Sequence, residues 1–118
     1  MSQAERKAVR AALSDAFVDN EVDYPDIARR VSRYERRAVE GIFFSEVAPI
    51  CYANLNSPVP SVWTGFNHSW LNSEIEHMLK KREASFWRRQ RDNLLIGYLR
   101  LKHADTWRSI KENLPHSE

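Results

Sequence analysis

The side chains here that could make or break bonds are one cysteine, four histidines and a crowd of carboxylates, so their spacing is the first question. A cysteine nucleophile must be a thiolate, and thiolates form in electropositive, partly exposed surroundings. Cys51 lies between Ile50 and Tyr52 in an apolar run, where a thiol stays protonated and serves packing. A zinc centre needs histidines and cysteines at short recurring spacings. His68, His77, His103 and His116 follow no such pattern, and Cys51 has no second cysteine to join it, so no metal is expected. Glu74 and His77 stand one helical turn apart, which as a lone pair reads as a solvated histidine on a charged helix. Neither a glycine-rich phosphate loop nor a nucleophile elbow is present. No catalytic residue and no cofactor is expected.

The charged residues fall into two clusters of opposite sign. Asp15, Asp19, Glu21, Asp23 and Asp26 crowd into twelve residues without a lysine or arginine. General acid–base work uses one or two carboxylates in desolvated surroundings, and a calcium loop needs a central glycine that is absent here. The cluster reads as a solvated turn with helix caps or as an anionic patch for a basic partner. Lys80, Lys81, Arg82, Arg88, Arg89 and Arg91 form the basic counterpart, with Glu83 as the one carboxylate among them and Phe86 and Trp87 interleaved. Such density suits phosphate contacts. The net charge of +2 is low for a nucleic-acid binder, and at helical spacing these cations spread around more than one face. The alternative is a solvated basic surface.

Two further features stand out. Trp63 and Phe66 flank Gly65, with Trp70 shortly after; the group is either a plug for one end of a core or, where exposed, an anchor for a partner. Glu46 ends an apolar face just before Val47-Ala48-Pro49. It is expected to be partly buried, hydrogen-bonded to backbone N–H groups near the proline.

The elements that must position these residues are helices. Three glycines are too few for a many-turned β fold, and the strong helix formers are abundant. Residues 3–18 carry Val9, Ala12, Leu13, Ala16 and Phe17 on one stripe, with Ser2 and Glu5 placed for a capping box. Asp23 caps a second helix with Pro25 in its first turn and Ile27, Val31 and Tyr34 inward. A third helix spans about 35–47, with Val39, Ile42, Phe43 and Val47 inside; Pro49 kinks it or starts a short helix near 48–55. Within it, Gly41 either weakens the helix or admits a close neighbour.

Residues 56–61 form a Pro-rich loop. Asn67 caps a helix over 68–82 that turns Leu71, Ile75, Met78 and Leu79 inward. A helix over 84–102 uses Trp87, Leu94, Leu95, Tyr98 and Leu101 as its inner face, and Asp105 or Thr106 caps a last one with Trp107, Ile110 and Leu114 inside. The expectation is an all-α, compact single-domain bundle of five to seven helices over 1–118, with a frayed tail at 115–118. Lacking a signal peptide, a membrane span and a second cysteine, the chain is expected to be cytoplasmic.

Three blocks then carry a resemblance. Ala12-Leu13-Ser14-Asp15-Ala16-Phe17 with Asp19 and Glu21, Glu46-Val47-Ala48-Pro49 with Asn54-Leu55, and Trp63-Thr64-Gly65-Phe66 with Trp70-Leu71 stand in that order. Together they resemble a family of small bacterial helical proteins catalogued as a domain of unknown function. The resemblance spans most of the chain up to about Arg82 and is weaker beyond it. It implies a self-contained helical domain and transfers no activity; by type, such proteins include immunity proteins that neutralise a toxin. The expected function is therefore a non-catalytic protein-binding module of the immunity or antitoxin kind. It would occlude a partner, such as a toxin or effector encoded nearby, with its acidic residues or with Trp63 and Phe66. The alternative is a small regulator binding nucleic acid through residues 80–91; no membrane partner is expected.

Overall fold

The computed structural model describes residues 1–17, 22–55 and 68–114. Among these are seven α-helices and no strand: α1 (Gln3–Ser14), α2 (Tyr24–Val31), α3 (Arg36–Ile42), α4 (Ala48–Leu55), α5 (His68–Ala84), α6 (Phe86–Lys102) and α7 (Ala104–Glu112). A 3-10 turn, Asp15–Phe17, extends α1, and a π-helical segment, Phe43–Val47, joins α3 to α4.

Local sequence sets the helix starts. Ser2 accepts from the Glu5 backbone N–H at 3.1 Å while the Glu5 carboxylate accepts from the Ser2 N–H at 2.9 Å, closing the anticipated capping box. Asp23 accepts from the Asp26 N–H at 3.0 Å and Pro25 sits in the first turn of α2. Ser85 caps α6 by accepting from the Arg88 N–H. For α7 the structure corrects the sequence reading: the cap position is His103, without a side-chain bond, rather than Asp105 or Thr106. The Asn67 cap of α5, the loop at 56–61 and the tail at 115–118 lie outside the described residues.

The π-helical segment is the centre of the molecule, packed against α1, α3, α4, α5 and α6. Its wide turn, in which the Ala48 N–H reaches back to the Phe43 carbonyl, directs Phe43, Phe44, Glu46 and Val47 all inward. The turn ends where Pro49 begins. Pro49 has no N–H to give the Ser45 carbonyl four residues earlier, and Arg82 of α5 supplies the missing donor through Nη1 at 2.8 Å.

One apolar cluster draws on α1 through α7: Val9, Leu13, Ile27, Val31, Ile42, Phe43, Val47, Leu71, Ile75, Leu99 and Ile110 are all but inaccessible. Phe17, Phe43, Phe44 and Trp107 pack ring to ring within it, with centroids 4.9 to 6.4 Å apart. The stripes anticipated for α1, α2, α3, α5 and α7 lie inward, with Ala16, Tyr34 and Leu79 at the margin. A Cβ added at Gly41 would meet nothing within 4 Å, so no close neighbour among the described residues explains that glycine.

The α6 stripe is the large correction. Trp87 and Leu94 are 79% exposed, Leu101 is 83% exposed and Tyr98 is half exposed; of the expected inner face only Leu95 packs on the core. The residues that turn inward are Asp92, Leu95, Ile96 and Leu99.

Candidate protein-binding face

Why α6 points this way follows from Asp92. Its carboxylate is almost wholly buried and accepts from Arg82 Nε at 2.7 Å and from Arg88 Nε at 3.1 Å, with Arg91 Nε at 3.8 Å. Burial pushes the Asp92 pKa up, but the hydrogen bonds from Arg82 and Arg88 outweigh it and hold the carboxyl below its ordinary value. Arg82 is itself held by the Ser45 carbonyl and the Met78 sulfur. Asp92 therefore has one place to go, and Leu99, two turns on along nearly the same face, follows it inward. Leaving the pair unmade would strand a charge in the interior, a larger cost than exposing leucines.

The outward face is then apolar. Trp87, Leu94, Tyr98 and Leu101 fall at i, i+7, i+11 and i+14, on one stripe about 21 Å long. Phe86, 56% exposed, stands edge-on to Trp87 with centroids 5.4 Å apart. Tyr52 of α4 extends the patch, 5.9 Å from Tyr98, with the Lys102 ammonium over both rings.

The residues singled out from sequence distribute differently. Of the basic cluster, Lys80 and Lys81 are exposed on α5 and Arg89 on α6, but Arg82, Arg88 and Arg91 gather around Asp92, one residue past the window in which the cluster was counted. The six cations form no single surface. Of the acidic cluster, Asp15 accepts from Arg30 at 2.6 Å, Asp26 pairs with Arg29 and lies 3.7 Å from Arg30, and Asp23 is the α2 cap. Asp19, Glu21, Trp63 and Phe66 lie outside the described residues. Trp70 packs half-buried against the core.

Glu46 is buried, as its position suggested, but its partners are side chains rather than backbone N–H groups. Arg10, buried on α1, donates to Glu46 Oε1 at 2.7 Å, and Arg6 pairs with Glu46 Oε2. Arg10 also reaches Glu76 at 2.9 Å and Asn72 at 3.3 Å. Beside this cluster a groove between α1 and α5 is lined by Lys7, Ser69, Asn72, Glu76, His77 and Lys80. Exposed His77 shares that groove with Glu74, one helical turn before it on α5.

Burial drives the Cys51 thiol far above its ordinary pKa, so it stays protonated. Among the described residues no three His, Cys, Asp or Glu side chains are grouped to hold a metal ion, and no helix is long and apolar enough to cross a membrane.

His103, at the α6–α7 junction, lies edge-on to Phe17 at 5.1 Å, and its Nε2 and the Trp107 Nε1 have no hydrogen-bond partner among the described residues. Burial, helped by the neighbouring Lys102 charge, lowers its pKa. The unfolded chain therefore takes up this proton before the folded one does, so stability is full above the ordinary histidine pKa and declines as pH falls from there toward the folded value. Urea midpoints measured from about pH 7.5 down to about pH 5 are expected to fall, and His103→Phe to flatten the slope. The lowered Asp92 pKa acts only below the ordinary aspartate range, clear of this window. An unchanged slope in His103→Phe would exclude His103 as its source.

Residues 4–113 match the family described as "Domain of unknown function (DUF7079)". No curated protein and no solved structure matches the chain.

Proposed function

The chain belongs to the DUF7079 family, a domain of unknown function, and from that premise we propose that it is a cytoplasmic, non-catalytic module that binds another protein through the outer face of α6. The immunity-type reading fits such a module, which would act by covering a partner's functional surface. One observation carries the proposal: a helix whose apolar stripe points outward. Isolated exposed leucines are ordinary, but Leu94, Tyr98 and Leu101 are successive neighbours on one helix face with Trp87 two turns before Leu94, and with Phe86 they present on the order of 600 Å², close to one side of a standard interface. Tryptophan and tyrosine are the residues that most often anchor such contacts. The acidic residues 15, 23 and 26 support the reading less, because arginines of the same molecule and a helix cap already engage them.

The test is a photo-crosslinking amino acid placed at Leu94 in the native cell, with Arg29 on α2 as the control position. A discrete adduct with a second protein from position 94 and not from position 29 is expected. Adducts of equal yield from both positions would remove the assignment.

A second reading has one observation in its favour. Exposed Phe86 and Trp87 beside Arg89 and Arg91 could stack bases and contact phosphates. It leaves Leu94 and Leu101 without a role. It predicts steeply salt-dependent gel shifts lost in Arg89→Ala/Arg91→Ala.

A further inference from the structure

Gly97 lies in the middle of α6, where glycine weakens a helix relative to alanine. Among the described residues nothing asks for it: a Cβ there would meet no atom within 4 Å, and its φ is not positive. In helical projection Gly97 borders the exposed stripe, three residues from Leu94, four from Leu101 and next to Tyr98. Arg91 and Lys102 border the stripe on its other side. A helix edge without side chains allows another backbone to come close, as small residues do wherever helices pack tightly.

Resting on the reading of α6 as a protein-binding face, we infer that its occupant is an amphipathic α-helix of a partner protein, crossing α6 closest at Gly97 and presenting carboxylates to Arg91 and Lys102. The ridge of Trp87, Leu94, Tyr98 and Leu101 has the i, i+7, i+11, i+14 spacing that meets a helix's apolar face. The charge argues against a second copy of this chain as the occupant. Arg91 and Lys102 stand beside the stripe, while the one carboxylate of α6, Asp92, is buried against Arg82 and Arg88; Arg89 and Arg100 project away from this face, Arg100 paired with Glu40 at 3.2 Å. Two such helices face to face would set cation against cation, whereas a glutamate-edged helix would find a partner for each.

The experiment uses the full chain and two synthetic helices held by side-chain staples, alike in a leucine face, one edged with glutamate and one with lysine. Affinities are read by fluorescence anisotropy, and melting temperature in parallel. The glutamate-edged helix is expected to bind at least about tenfold tighter than its lysine twin, and Arg91→Ala/Lys102→Ala to abolish the difference. Gly97→Ala is expected to raise the melting temperature by about 4 °C yet weaken the glutamate-edged helix about tenfold. A merely structural glycine would move only the first readout.

Equal binding of both helices, or undiminished binding by Gly97→Ala, overturns the inference. So does self-association of the free protein that Leu94→Ser abolishes, which would make a second copy the occupant. Binding to phosphatidylserine vesicles that displaces the glutamate-edged helix would likewise assign the face to a membrane. Failure of both helices alongside a specific protein adduct at position 94 removes the partner's class and leaves the binding face standing. Absence of that adduct removes the face itself.

Discussion

Glu46→Leu lowers stability by about 3 kcal/mol, because it leaves the Arg10 guanidinium buried without its closest carboxylate. Arg10 is 1% exposed, so water cannot replace the lost partner; the remaining carboxylate, Glu76, is 40% exposed and correspondingly screened, and Asn72 offers only a neutral acceptor at 3.3 Å. The effect belongs to the stranded charge and not to the pair. The double variant Arg10→Met/Glu46→Leu is therefore expected to recover most of the loss, since apolar groups of similar volume can replace a buried ion pair at little net cost. Arg6, the other guanidinium on Glu46, is 39% exposed and can turn to solvent. Urea unfolding of the two single variants and the double variant checks this. A loss under about 0.5 kcal/mol for Glu46→Leu, or losses that simply add, would show that the cluster holds nothing in place.

Leu99→Ala and Leu101→Ala, two positions apart on one helix, are expected to differ by about 3 kcal/mol. Leu99 is fully buried among α6's inward residues, and its truncation removes transfer free energy and opens a cavity. Leu101 is 83% exposed, and its loss should fall within about 0.5 kcal/mol of the wild type, as should that of Leu94. The reverse order would mean that α6 is rotated and that its stripe is core after all. Removing the stripe while sparing stability is what makes Leu94 and Leu101 useful probes of binding.

Much of the fold was legible in the sequence because local rules and packing agree there. The Ser2–Glu5 box, the Asp23–Pro25 start and the stripes of α1, α2, α5 and α7 are cases in which periodicity and burial point the same way. α6 escaped because it has two apolar arcs. The heavier one, with Trp87, Leu94, Tyr98 and Leu101, invites assignment to the core, while the lighter one, Leu95, Ile96 and Leu99, shares its side with an aspartate. Aspartates are rarely buried unless paired, and the pairing residue, Arg82, sits on the preceding helix.

The same reason hid the Arg10–Glu46 pair. Thirty-six residues separate its members, so no local spacing announces it, although Arg10 stands between Val9 and Ala11 in the α1 stripe. Both charge clusters also changed meaning at their edges. The acidic window closes before Arg29 and Arg30, and the basic one closes before Asp92.

Arg82 engages the Ser45 carbonyl, the Met78 sulfur and the Asp92 carboxylate, which joins the π-helical segment, α5 and α6 at one side chain. Separating any one of the three leaves a guanidinium, a carboxylate or a carbonyl unanswered in the interior. The stretches 43–47, 68–84 and 86–102 are thus expected to open as a single foldon, their amides exchanging with deuterium at one shared opening free energy.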